Sequence, residues 1–144
     1  MSERTMRKIV AIAVLASCVS TIAQAKPVTY SCSATKNTVE HSLDISVDGD
    51  KVSDWSYFAA TPAGDSSLTC SLDSTDGKES GSTAGVQRYI TDSGNVTVTK
   101  EGKSFVFDFS KVRITDVCGQ SSAMAKHLTI TPGSKRCTNV ANAT

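Results

Sequence analysis

Cysteine is the residue type whose number and spacing promise most in this chain. There are five in 144 residues: Cys18, Cys32, Cys70, Cys118 and Cys137. The last four lie 38, 48 and 19 positions apart, and no two form a CxxC pair. That spacing supports neither a thioredoxin-like redox site nor a zinc ribbon. Four widely spaced thiols predict two structural disulfides made in an oxidising compartment, and three pairings are open. The two histidines, His41 and His127, stand in no metal-binding spacing and flank expected strands, so ordinary surface positions are predicted for both. There is no Gly-x-Ser-x-Gly elbow and no glycine-rich phosphate loop, so no nucleophile or cofactor site is expected and the chain does not read as an enzyme. Asp48, Asp50 and Asp54 offer oxygen atoms to calcium, but Asp-Gly-Asp is also ordinary hairpin chemistry, the reading preferred here. Trp55, Tyr57 and Tyr89 are expected to pack in the core, with a surface recognition patch as the alternative.

The first 25 residues read as an export signal. Arg4, Arg7 and Lys8 precede the apolar run 9–16, and Ala23-Gln24-Ala25 is a small-x-small cleavage site. Leu15-Ala16-Ser17-Cys18 is similar to a lipobox, which would place a lipid on Cys18. The expected location is therefore periplasmic or secreted, with a membrane-anchored lipoprotein as the alternative. Removing Arg4, Arg7, Lys8 and Glu3 turns 15 basic and 14 acidic residues into 12 and 13, a net charge of −1. Such a chain has no electrostatic attraction for nucleic acid. No other apolar run approaches the roughly 20 residues that span a bilayer, so no transmembrane helix is expected in the mature chain.

The elements that must position these residues read as strands. Alternation of apolar and polar residues marks 42–47 and 51–57, joined by the Asp48-Gly49-Asp50 turn. Further short strands are predicted at 27–32, 67–72, 85–90, 95–100, 104–109, 112–115 and 127–131. Phe105, Phe107 and Phe109 share one face and are expected at the centre of the core. The segment 59–67 is expected to be a loop, 73–84 a mobile polar loop, 120–126 a helical turn, and 138–144 a flexible tail. The whole predicts a single all-β domain over 26–137, a small antiparallel barrel or sandwich of about eight strands.

From Tyr30 to about Cys118 the chain resembles the MliC/PliC family of C-type lysozyme inhibitors. Tyr30-Ser31-Cys32 fits that family's opening Tyr-x-Cys strand. The run from Ser82 to Tyr89 stands at its inhibitory loop, and Val96 to Gly102 at its strand into Lys-Gly. Arg113-Ile114 before Cys118 stands at the family's closing cysteine. The resemblance implies a non-catalytic barrel and a Cys32–Cys118 bond, which leaves Cys70 with Cys137; the main alternative is Cys32–Cys70 with Cys118–Cys137. It also implies a lysine and a loop serine that engage the two catalytic carboxylates of a lysozyme. Lys100 matches the lysine, with Glu101 inserted before Gly102. A gap-free alignment puts Gly85 at the serine, and Ser82 reaches that role with a loop longer by two residues.

The expected function is thus that of an exported binding protein, an inhibitor of lysozyme-like peptidoglycan hydrolases. Lys100, Ser82, Thr83 and Tyr89 are the expected contacts, and the partner is a protein. Two alternatives stand beside it. One is a periplasmic immunity protein against a secreted bacterial toxin. The other is a structural envelope protein, or a carrier holding a small apolar ligand within the barrel.

Overall fold

Period-two alternation is visible in the burial of most strands of the computed structural model, which describes residues 25–118 and 123–142. The leader, Cys18 included, lies outside the described residues except for Ala25. Ten antiparallel strands form two open sheets. The first is a meander of β1 (Val28–Lys36), β2 (Val39–Asp48), β3 (Lys51–Ala63) and β4 (Ser66–Asp73). The second holds β5 (Gly77–Thr83), β6 (Val86–Thr91), β7 (Gly94–Glu101), β8 (Ser104–Val112), β9 (Ala125–Ile130) and β10 (Thr138–Asn142), in the order β10-β9-β8-β7-β6-β5. Of the two expected architectures, the sandwich is the one formed.

One face of each sheet supplies the core. Leu43, Ile45, Trp55, Tyr57 and Ala59 come from the first sheet; Val96, Val98, Phe105, Phe107, Phe109, Leu128 and Ile130 come from the second. Trp55 is the hub. Its ring meets Tyr89, Phe107 and Phe109 edge-on, with centroids 5.5, 5.8 and 6.1 Å away. Edge-to-face pairs add to the stabilisation from burial, about 0.5–1.5 kcal/mol each. The phenylalanine triad is central as expected, and Trp55, Tyr57 and Tyr89 all lie in the core.

Several expectations are corrected. The segment 59–67 is mostly strand: β3 runs to Ala63 and β4 begins at Ser66. The segment 73–84 is not a loop. Asp73 caps a 3-10 turn, Ser74–Asp76, accepting the Thr75 N–H while Asp76 accepts the Asp73 N–H. β5 follows at once, paired to β6. The expected strand 112–115 ends at Val112 and gives way to α1 (Ile114–Cys118). The helical turn expected at 120–126 falls partly outside the described residues, and Ala125 and Lys126 belong to β9. The tail is not loose either, since Thr138–Asn142 is β10, paired to β9.

The disulfides take the third pairing. Cys32 joins Cys137 and Cys70 joins Cys118, with Cα atoms 5.0 and 4.2 Å apart. Neither Cys32–Cys118 with Cys70–Cys137 nor Cys32–Cys70 with Cys118–Cys137 is formed. The reason is the path of the chain. After β9 a turn at Pro132-Gly133 carries residues 134–137 to the edge of β1. There Ser33 donates its N–H to the Lys135 carbonyl (3.0 Å) and accepts the Cys137 N–H (3.0 Å). That parallel bridge sets Cys137 beside Cys32. On the opposite edge α1 packs on β4 and presents Cys118 to Cys70.

Candidate partner-binding end

Three hairpin tips gather at one end of the sandwich. The β5–β6 tip is Ala84-Gly85, with φ of 50° and 77°. Two successive left-handed residues make the tight two-residue hairpin that suits strand twist. The β7–β8 tip is Gly102-Lys103, with Glu101 opposite Ser104. The β2–β3 tip, Gly49-Asp50, comes from the other sheet.

Lys100 joins the three. Its backbone N–H donates to the Gly85 carbonyl at 2.8 Å. Its ammonium donates to the Gly102 carbonyl at 2.8 Å and lies 3.3 Å from Asp50 Oδ1. The Lys100 side chain is 30% exposed and that of Asp50 87%. The pair is therefore largely solvated, and such pairs stabilise by about 0–1 kcal/mol. What it fixes is position: a cation held at the seam of two sheets, one weak contact from release.

The expected contact residues separate into two groups. Ser82 and Thr83 are exposed on β5, with Thr83 opposite Val86, which in turn faces Thr99. They and Lys100 lie toward the same end of the second sheet. Tyr89 does not. It is 4% exposed, packs on Trp55 and donates its hydroxyl to the Val52 carbonyl at 3.0 Å. Burial, with the negative charges of Glu79 and Asp54, pushes its phenol up to about 12. Tyr89 is removed from the contact set, because alternation on β6 turns it inward with Gln87. Gly85 stands where a gap-free alignment would place the serine. Its φ of 77° disfavours a side chain, so the turn itself excludes serine there.

His41 is also corrected, from the surface to the interior, at 1% exposed. It lies on the inward face of β2 with Val39 and Leu43. Its Nδ1 is 2.8 Å from the Tyr57 hydroxyl, which accepts the Ala125 N–H of the other sheet at 2.7 Å. The Tyr57 hydroxyl keeps its own proton to donate, and Nδ1 of a neutral imidazole accepts it when the ring hydrogen sits on Nε2. Burial lowers the His41 pKa, and the Asn142 side chain opposes that shift.

Two residues take roles that the sequence does not announce. Asp50 reads as a turn residue, yet it meets Lys100 from the other sheet. Phe58 stands 44% exposed on the outer face of the first sheet. The signal for it was present: with Trp55, Tyr57 and Ala59 inward, Phe58 must face out.

The interior needed by the carrier reading is filled by Trp55, Tyr57, Phe107, Phe109, Leu43 and Met124. Among the described residues, no cluster of His, Cys, Asp and Glu is placed to hold a metal ion, and no helix is long and apolar enough to cross a membrane. No family model, curated protein or solved structure matches this chain.

Proposed function

We propose that this chain is an exported, non-catalytic protein that inhibits a lysozyme-like peptidoglycan hydrolase by placing its three-tip end in the enzyme's cleft. The observation that carries this reading is the Lys100 ammonium, held where the three tips meet by the Gly102 carbonyl and Asp50. A cleft lined by two carboxylates offers that cation a stronger partner than one solvated aspartate. Desolvated, charge-assisted hydrogen bonds contribute about 1.5–3 kcal/mol each, against about 0–1 for the exposed pair they replace. The hydroxyls of Ser82 and Thr83 supply donors for a second carboxylate. Two disulfides at opposite edges of the first sheet stiffen the sandwich that carries this end, which lowers the ordering cost of association.

The test is lysis of bacterial walls by C-type, G-type and I-type lysozymes with the protein in excess. Slowed lysis of one class is expected. Lys100→Ala abolishes the slowing, whereas Ile90→Ala, on the second sheet outside the three tips, leaves it intact. Unchanged lysis by all three enzymes overturns the proposal.

A further inference from the structure

The outer face of the first sheet is a field of short hydroxyl side chains around one aromatic ring. The strand register aligns Ser33, Ser42, Phe58 and Ser71 in one row across β1 to β4. The row on one side is Thr35, Glu40, Ala60 and Thr69; on the other it is Ser31, Asp44, Ser56 and Asp73. In these three rows Phe58 is the only large apolar residue, and there is no lysine or arginine.

An open hollow of about 460 Å³ lies on this face, lined by Ser33, Thr35, Glu40, Ser42 and Phe58 among others. None of these polar side chains has a hydrogen-bond or ion-pair partner among the described residues. Hydroxyls elsewhere on the sheet do pair, as Thr29 does with Ser46 and Ser53 with the Ser46 carbonyl. The polar groups around Phe58 are therefore unspent, and they surround a flat apolar surface. The basic side chains Lys36, Lys135 and Arg136 border an adjoining hollow at the β1 edge, which shares Ser33 and Thr35 with the first.

We infer that this face binds a neutral glycan, with one pyranose ring laid on Phe58. A pyranose with equatorial hydroxyls has an apolar C–H face and a polar rim. The ring of Phe58 matches the first and the surrounding hydroxyls match the second. Binding sites combine apolar contact with a few placed polar groups in this way. Glu40, as a carboxylate, accepts two sugar hydroxyls at once. Glu40, Asp44 and Asp73 make the charge within the three rows negative, which disfavours an anionic polymer there relative to neutral or N-acetylated sugars. The face runs across four strands, which fits an extended chain better than a single sugar. The inference does not depend on the inhibitory reading, which uses the other sheet's hairpin tips.

The experiment titrates the oxidised protein with chitotetraose, cellohexaose and maltohexaose, with polygalacturonate as the anionic comparison, followed by NMR. Saturable shifts are expected with at least one neutral oligosaccharide, confined to Ser33, Ser42, Phe58, Ser71 and their neighbours. Phe58→Ala weakens that affinity by about tenfold or more, as loss of a central aromatic anchor does. Ile90→Ala, which removes an exposed side chain from the second sheet, leaves it unchanged. Retained shifts of the buried Trp55 indole in both variants verify folding. No saturable shift up to about 10 mM of any neutral glycan overturns the inference. So does binding that Phe58→Ala leaves intact, or binding of polygalacturonate alone. A protein partner captured through Phe58 without any glycan shift also counts against it.

Discussion

The carboxamide of Gln87, on β6, grips the backbone of Val52, on β3 of the opposite sheet. Gln87 Oε1 accepts the Val52 N–H at 2.9 Å, and Gln87 Nε2 donates to the Val52 carbonyl at 2.9 Å. β4 reaches only as far as Ser56, so residues 51–55 of β3 have no partner there. Gln87 takes the place of a missing strand at Val52, and the Ser74 hydroxyl does so for the Trp55 N–H. The Tyr89 hydroxyl adds a second donor to the Val52 carbonyl.

Gln87→Ala should therefore destabilise the fold by more than its size implies. It strands a buried N–H and weakens the bonding of a buried carbonyl, each at a cost of about 1–3 kcal/mol. A total loss of about 2–4 kcal/mol is expected in urea unfolding. Gln87→Glu keeps the acceptor and loses the donor, and should also lose stability. A loss below about 0.5 kcal/mol for Gln87→Ala would show that the clamp is not a structural tie.

A non-reducing peptide map should recover Cys32 with Cys137 and Cys70 with Cys118. The two bonds close loops with separations of 105 and 48 residues. Chain-entropy arithmetic gives about 4.8 and 4.1 kcal/mol. Replacing Cys32 and Cys137 by serine should thus cost slightly more than replacing Cys70 and Cys118. Mapping of any other pairing would remove this order.

Acid should weaken the fold through His41. Its folded pKa lies below the ordinary 6.5 because burial disfavours the cation. On acidification the unfolded chain takes up its proton first. This contribution is thus complete above pH 6.5 and is lost as pH falls toward and below the folded value. Denaturation midpoints should drop between about pH 8 and about pH 5, and His41→Gln should flatten that slope. At the alkaline end Tyr89, raised to about 12, works in the opposite sense. The unfolded phenol ionises near 10, so stability falls as pH rises beyond it.

The β1–β2 turn carries a removable strain. Asn37 and Thr38 have φ of 49° and 66°. Asn suits the left-handed region, but a β-branched residue does not. Thr38→Gly should raise stability by about 1 kcal/mol, read as a higher thermal midpoint, with no change in disulfide pairing.

Strands that alternate were legible because burial on one face leaves period two in the residues themselves. β2, β3 and β8 are of this kind. β5 was not: six of its seven residues are exposed, so no apolar rhythm exists to be read. It is a strand because β6 offers it hydrogen bonds. β10 has the same origin beside β9. His41 lies between Glu40 and Ser42 in a polar triplet; the phase of Val39 and Leu43 turns it inward, and the Tyr57 hydroxyl gives its Nδ1 a partner there. The cysteine count implied two bonds, but the pairing depends on where the Pro132-Gly133 turn and α1 carry the chain. At the candidate site, Lys100 was legible as a cation before a turn. Its contact with Asp50, 50 positions away and in the other sheet, was not.

The bond between Cys32 and Cys137 encloses the one between Cys70 and Cys118. A chain delivered from its N-terminus cannot close either bond until Cys118 has emerged. In the interval Cys70 is the one partner open to Cys32 among the described residues, and their union is foreign to the finished molecule. Any oxidant acting on the incomplete polypeptide thus creates an error that a thiol-exchange catalyst must later undo. Maturation of this protein should be quicker where such a shuffling activity is at hand than where oxidation works alone.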